Sequence, residues 1–223
     1  INHLLYADDL CIFSPTASGL QSLLNACEKE AEVLKIKFNT AKTLCMRFAS
    51  KIYLHFDVHD MFLCDHKLTF VDNARYLGHN ISNDLSDDAD MKKARGTFYY
   101  RGNIIGRKFM NCSDNVKIQL FRAFITPLYC GHLWTSYLLK SYHDVRVAYN
   151  AAFRNLFRLP FNCSISQNMV KFGIPTLDVL IRNQTRSLFE RCKISSNSLC
   201  QQSVSTWEFG VLKTMWDRFL PLP

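Results

Sequence analysis

Glycine and proline are scarce in this 223-residue chain, at 8 and 6 residues, and its nine cysteines include no Cys-x-x-Cys pair. The first scarcity excludes a turn-rich barrel, a collagen-like repeat and a low-complexity polymer. The second, with an odd cysteine count in a chain too long to need a disulfide framework, indicates reduced thiols and an intracellular protein, nuclear or cytoplasmic. Four Asn-x-Ser/Thr sequons, at Asn80, Asn111, Asn162 and Asn183, carry no weight inside a cell. Long apolar runs are missing too. The nearest, 120–139, holds Arg122, Pro127 and His132 and reads as a buried helix, so no membrane partner is expected. A hydrophobic fraction of 48% excludes a disordered chain. The length allows one large or two small domains that bury about 70% of the unfolded surface. Ile1 opens directly onto an apolar run, which reads as part of something longer.

Charge divides the chain. Residues 1–91 hold 8 Lys/Arg against 13 Asp/Glu, whereas residues 92–193 hold 17 against 4, and the last thirty are balanced. An acidic segment followed by a strongly basic one fits a polyanion-binding surface joined to an acidic site.

Periodicity changes at the same place. Apolar residues around a turn at Ala7-Asp8-Asp9 predict a hairpin with buried flanks. Ser14-Pro15 predicts a helix start, and Leu20, Leu23, Leu24, Cys27, Ala31 and Leu34 repeat at helical spacing. Short strands are expected over 36–39, 43–48, 53–58, 67–71 and 75–81. Beyond Ser86 the pattern is helical. Asp87, Asp88 and Asp90 suit a first turn, and Ser113-Asp114 and Thr176 with Asp178 suit helix starts. Pro127 should break a helix, and Ser141 with Asp144 and Ser205 with Glu208 resemble capping boxes.

The residues that point to chemistry are Tyr6-Ala7-Asp8-Asp9. Two adjacent carboxylates at a rigid hairpin tip can offer oxygens to a hard divalent cation. Adjacent residues within a strand face opposite ways, so both can converge only if the turn bends them together. An Asx-type turn, with the aspartates bonded to backbone, uses the same residues without chemistry.

Together with the blocks beyond it, this hairpin resembles the reverse transcriptase palm, most closely that of non-LTR (LINE-like, jockey-type) retrotransposons. Tyr6-Ala7-Asp8-Asp9 is similar to their active-site hairpin. Asn39-Thr40-Ala41-Lys42-Thr43, after an amphipathic helix, resembles the next block, although Val33-Leu34 stands where Gly-Leu is common. Tyr76-Leu77-Gly78 resembles the hairpin that grips the primer. Ser113 to Trp134 resembles the helical segment beyond, through Val116-Lys117, Leu120-Phe121, Pro127-Leu128-Tyr129 and Gly131-x-x-Trp134. The resemblance implies an α+β fold: a partial palm of antiparallel hairpins plus a helix over 1–82, a helical thumb-like region over 83–139 and a C-terminal helical segment over 140–223. It implies RNA-directed DNA synthesis on an RNA template and DNA primer from deoxynucleoside triphosphates, with Mg²⁺ or Mn²⁺. Asp8 would ligate the metal and Asp9 would play a weaker or indirect part. Tyr6 and Ala7 would lie beside the primer terminus and incoming nucleotide, as Tyr76, Leu77 and Gly78 would beside the primer. Lys42 would approach the triphosphate and protonate the departing pyrophosphate. In this family a further metal-binding aspartate and the fingers precede the hairpin, so the 223 residues alone are expected to be inactive. Two other readings stay open: a non-catalytic nucleic-acid-binding remnant, and an unrelated helical interaction module.

Two further patterns have a bearing on partners. Arg146, Arg154 and Arg158 are spaced to share one helical face, as are Arg182 and Arg186, and phosphate backbone is the expected partner of both rows. Tyr149, Phe153 and Phe157 read as core. His55, His59, Cys64 and His66 have a spacing that fits no standard zinc finger, and 84–90 lacks the glycine and glutamate of a calcium loop.

Overall fold

A computed structural model describes residues 2–48 and 59–207 as a mixed α+β chain of two units. The first runs to Ala74 and adds Ser82–Asp84. The second comprises Arg75–Ile81 and the chain from Leu85 onward.

In the first unit, β1 (His3–Tyr6) and β2 (Asp9–Ile12) form an antiparallel hairpin with Tyr6 opposite Asp9 and Leu5 opposite Leu10. The turn is therefore only Ala7-Asp8, and Asp9 already belongs to a strand. Helix α1 (Ala17–Leu34) starts two residues after Pro15, because Thr16 is the cap, its hydroxyl accepting from the Gly19 amide at 3.1 Å. The small core gathers Leu24, Cys45, Met61, Leu63 and Leu68, with Leu20 and Phe70 packed on it. Gln21 extends a side chain to backbone in place of a strand, giving and receiving a 2.9 Å bond with the two polar groups of Phe62.

The short strands are fewer and shorter than the pattern predicts. Residues 36–39 form none, and 43–48 shrinks to β3 (Leu44–Cys45). A tight hairpin joins β4 (Phe62–Leu63) to β5 (His66–Lys67). The strand β6 (Thr69–Phe70) pairs with β3 in parallel, which corrects the all-antiparallel expectation. The strand expected over 53–58 lies outside the described residues. The stretch 75–81 is no single strand: β7 (Asn73–Tyr76) turns at Leu77-Gly78 into β8 (His79–Ser82).

The second unit is helical beyond that hairpin. Its longest pair, α2 (Asp88–Lys108) and α4 (Leu139–Phe157), pack along their lengths. Gly102 permits the close approach, since a Cβ there would lie 2.7 Å from Ala152 Cβ. Helix α3 (Asp114–Phe124) adds Phe121 to an edge-to-face cluster with Phe98, Tyr149 and Phe153, whose centroids lie 5.4–5.5 Å apart in successive pairs. Tyr149, Phe153 and Phe157 are core, as expected. The stretch 120–139 is not one buried helix. It holds the end of α3, which stops before Pro127, then a 3₁₀ turn at Gly131–Leu133 and an extended approach to α4.

Helix α5 (Ile165–Lys171), α6 (Leu177–Ile194) and α7 (Ser198–Trp207) complete the unit. Thr176 caps α6 through the Val179 amide, as the sequence predicts. The capping box expected at Ser141 and Asp144 does not form. Ser141 lies inside α4, whose N-cap is Leu138, and Asp144 pairs with Arg95 at 2.9 Å. Ser205 lies within α7, and Glu208 lies outside the described residues. No helix among the described residues is long and apolar enough to cross a membrane.

Candidate active-site hairpin and nucleic-acid interface

The β1–β2 turn has two residues, and Ala7 occupies its first position with φ +53°. An L-residue in that region costs about 1–2 kcal/mol, so the turn holds an alanine where glycine is the easy choice. Asp8 follows in the turn and Asp9 opens β2. Strand alternation therefore does not by itself force the two carboxylates onto opposite faces. Both are exposed, and neither makes a hydrogen bond or ion pair among the described residues. The Asx-type alternative, with the aspartates spent on backbone, is not what forms.

The flanks differ from expectation. Leu5 and Tyr6 are 68% and 65% exposed, and Leu4, Leu10 and Phe13 are exposed as well. The apolar run is there, but a two-stranded ribbon has no second layer to bury it against.

The donor set at the tip is partial. Mg²⁺ needs near-octahedral oxygen coordination, and among the described residues no three His, Cys, Asp or Glu side chains gather into a metal-binding group. Asp8 and Asp9 by themselves do not make a two-metal centre. The zinc reading fares no better. Cys64 is an exposed turn residue whose carbonyl oxygen lies 2.7 Å from His66 Nδ1, and His55 lies outside the described residues.

Lys42 sits in a turn organised by Asn39. The Asn39 carbonyl accepts from the amides of Lys42 and Thr43 at 3.0 Å and from the Thr43 hydroxyl at 3.0 Å, while its side chain accepts from the Lys42 amide at 3.2 Å. Asparagine and threonine thus have a local structural task in this block, fixing the loop from which Lys42 projects exposed.

At Tyr76-Leu77-Gly78, both turn residues have positive φ, +46° and +85°, the pattern of a primed hairpin turn. The tip is fastened within the helical unit. The Leu77 carbonyl accepts from Tyr129 Oη and the Gly78 carbonyl from Lys93 Nζ, each at 2.6 Å. A Cβ on Gly78 would lie 2.7 Å from the Tyr129 ring.

His79 then inserts between two carboxylates, 3.3 Å from Asp90 Oδ2 and 3.7 Å from Asp87 Oδ1. Asp90 also accepts from the Trp134 indole at 2.9 Å and the Asn80 amide at 3.1 Å. Asp87 accepts from the amides of Thr135 and Ser136 at 2.6 and 2.8 Å. Bonding to Asp87 and Asp90 pushes the imidazole up to about 9, against the opposing effect of burial. Burial alone would raise the Asp90 carboxyl, but its bonds from His79, Trp134 and Asn80 outweigh that and hold it below the usual carboxylate range. Asp87 and Asp90 are thus a structural clamp, a role that the spacing of the run 84–90 does not disclose.

The arginine rows separate. Arg158 lies beyond the last turn of α4 in a left-handed conformation and its guanidinium meets the Met110 sulfur, so it does not continue one face with Arg146 and Arg154. Arg154 is half-buried, donating to the Pro160 carbonyl at 2.6 Å beneath the Phe161 ring. Arg146 is exposed beside His143. Arg182 and Arg186 are exposed on α6 and make no hydrogen bond or ion pair among the described residues. A cationic surface that the spacing does not reveal lies on α2, where Lys92, Arg95 and Tyr99 border a cleft of about 430 Å³ with Asp144 and Val147 of α4. Six of the seventeen basic residues of 92–193 fall on this helix, and that density is the signal that could have found it.

No protein-family profile matches this chain, nor does any curated protein or solved structure.

Proposed function

We propose that the chain is the trailing part of a reverse-transcriptase-like nucleotidyl transferase, contributing the carboxylate hairpin and a helical region that binds the template–primer duplex. One observation carries the reading: the Ala7-Asp8 turn leaves both aspartates of Tyr-Ala-Asp-Asp exposed and unspent at a hairpin tip. The order of the later blocks and the uncompensated basic charge of 92–193 support it. Asp8 and Asp9 would supply part of the Mg²⁺ or Mn²⁺ ligation, with Lys42 toward the triphosphate and Tyr6, Ala7, Tyr76, Leu77 and Gly78 toward primer and nucleotide. When bound, the metal would activate the primer hydroxyl and stabilise the leaving pyrophosphate.

A second reading is favoured by the absence of a third carboxylate at the tip among the described residues: these 223 residues bind nucleic acid without copying it. One pair of assays separates the two. The full translation product of the transcript encoding this chain should extend a DNA primer on RNA with Mg²⁺, and Asp8→Asn should abolish extension. Equal extension by wild type and Asp8→Asn would overturn the polymerase reading. The 223-residue chain should show no extension but should bind RNA–DNA duplex. Extension by it would overturn the partial-site reading.

A further inference from the structure

We propose that Phe161 is a stacking platform for an unpaired base of a nucleic-acid strand, with Arg107 and Lys108 taking the phosphates beside that base. The site rests on the nucleic-acid-binding part of the proposed function and adds an unpaired strand to it.

Phe161 is the most exposed large apolar side chain among the described residues, at 94%. The turn that carries it is braced at one atom. The Pro160 carbonyl accepts from the Arg154 guanidinium at 2.6 Å, from the Cys163 thiol at 3.1 Å and from the Cys163 amide at 3.4 Å. Pro160 fixes its own φ, and Leu159 before it packs against the helical core. Backbone that is held in advance loses little freedom when a partner settles on its side chain. The Arg154 guanidinium lies on the Phe161 ring, 5.2 Å from the centroid, and the exposure of the ring leaves room for a second planar group.

Helices α2 and α4 run parallel: Arg95 meets Asp144, Gly102 meets Ala152 and Met110 meets Arg158. Their C-terminal ends therefore lie together, and the Phe161 turn leaves α4 at that end. Arg107 and Lys108 occupy the last turn of α2, exposed and without a hydrogen bond or ion pair among the described residues. Cations there suit the helix dipole, which accounts for the two charges but not for a bare aromatic ring braced at the same end. Acids are scarce around them. Asp114 is the only one between Asp90 and Asp144, and none lies between Asp144 and Asp178. The charge calls for an anionic partner, and the ring for a partner with flat faces. A single strand supplies both, a phosphate with every base. An anionic membrane supplies the charge, but its hold on a protein grows with buried apolar area, and one ring offers little.

The experiment uses the whole 223-residue chain and four probes: a short single-stranded oligonucleotide, the same sugar-phosphate strand without bases, a blunt RNA–DNA duplex, and vesicles of phosphatidylserine in phosphatidylcholine. Phe161→Ala should weaken single-strand binding about tenfold, while Phe161→Tyr restores it. The strand without bases and the blunt duplex should bind wild type and Phe161→Ala alike. The salt slope on the single strand should stay at the wild-type value in Phe161→Ala, and Arg107→Gln with Lys108→Gln should lower it by about 1.4. A ring so exposed adds nothing to the core, so Phe161→Ala folds as wild type does. Equal single-strand affinity in wild type and Phe161→Ala, with the duplex still bound, would overturn the stacking site and leave the nucleic-acid reading standing. Binding to none of the nucleic-acid probes would overturn that reading and the site with it. Vesicle binding that Phe161→Ala abolishes, with single-strand affinity unchanged, would assign the ring to a membrane surface instead. An unchanged slope in the double variant would remove Arg107 and Lys108 from the site.

Discussion

Replacing His79 with alanine removes the cation that Asp87 and Asp90 share, and the cost should depend on pH in a calculable way. The imidazole rises from 6.5 to about 9 on folding, and its side chain is 16% exposed, so solvent screens it little. A group whose pKa is raised on folding stabilises fully below its unfolded value and ceases to do so as pH climbs through the folded one. Each tenfold gain in proton affinity on folding is equivalent to about 1.4 kcal/mol. His79 therefore contributes about 3 kcal/mol at pH 6, about 2 at pH 7.5 and almost nothing at pH 9.5. The partner has the opposite sign: Asp90 is held below 3.8, so its contribution is present above that value and fades as pH falls through the folded one. Stability of the helical unit should therefore be highest between about pH 4 and 6.5. The assay is urea unfolding at pH 6, 7.5 and 9.5, with amide exchange across 75–81 as the local readout. Wild type should lose stability steadily from pH 6 to 9.5, and His79→Ala should be less stable at pH 6 and nearly flat. A flat wild-type profile, or a His79→Ala profile with the wild-type slope, would refute the clamp. His79→Gln should keep part of the packing but none of the slope.

Gly102→Val should separate α2 from α4, because its Cβ would meet Ala152 at 2.7 Å; a loss of about 1–3 kcal/mol is expected in thermal unfolding followed by circular dichroism. Ala7→Gly should relieve the left-handed alanine at the hairpin tip by about 1 kcal/mol, slowing amide exchange over residues 3–12 by about fivefold. If four phosphates are contacted, duplex affinity should fall by about 150-fold between 50 and 200 mM salt, and Arg182→Gln with Arg186→Gln should lower the logarithmic salt slope by about 2. Anisotropy titrations at four salt concentrations test this, and an unchanged slope would remove α6 from the interface.

The features legible in the sequence are those whose physics is local. Thr176 caps α6 because the hydroxyl and the amide it satisfies lie three residues apart, and Pro127 ends α3 nearby for want of an amide proton. A turn at Ala7-Asp8-Asp9 is visible because a short polar break between apolar runs has few solutions, although strand pairing takes Asp9 out of it. Where the partner is distant, the same residue types mislead. Asp144 looks like a capping residue for Ser141, yet it pairs with Arg95, 49 residues earlier. Asp87, Asp88 and Asp90 look like dipole-compensating charge, yet they hold Ser136, Leu138, Trp134 and His79 as well.

The arginine rows show the same limit in another form. Equal spacing says that Arg146, Arg154 and Arg158 would share a face if the helix ran past Arg158, but it cannot say where the helix stops. The chain turns left-handed at Arg158, and Arg154 is drawn down to the Pro160 carbonyl by the loop beyond the helix. A cation used to close a helix end is partly neutralised by that carbonyl and has a fixed geometry. It therefore contributes less to a mobile polyanion than an exposed cation with no local partner. The charge that remains available on α4 and α6 comes from Arg146, Arg182 and Arg186, and on α2 Lys92 is exposed at the cleft while Arg95 is held by Asp144 at 2.9 Å. A polyanion lying along these helices would meet Lys92 on α2, a cation that the spacing of the α4 row does not anticipate, whereas Lys93, Arg95 and Arg101 are held by Gly78, Asp144 and Phe124.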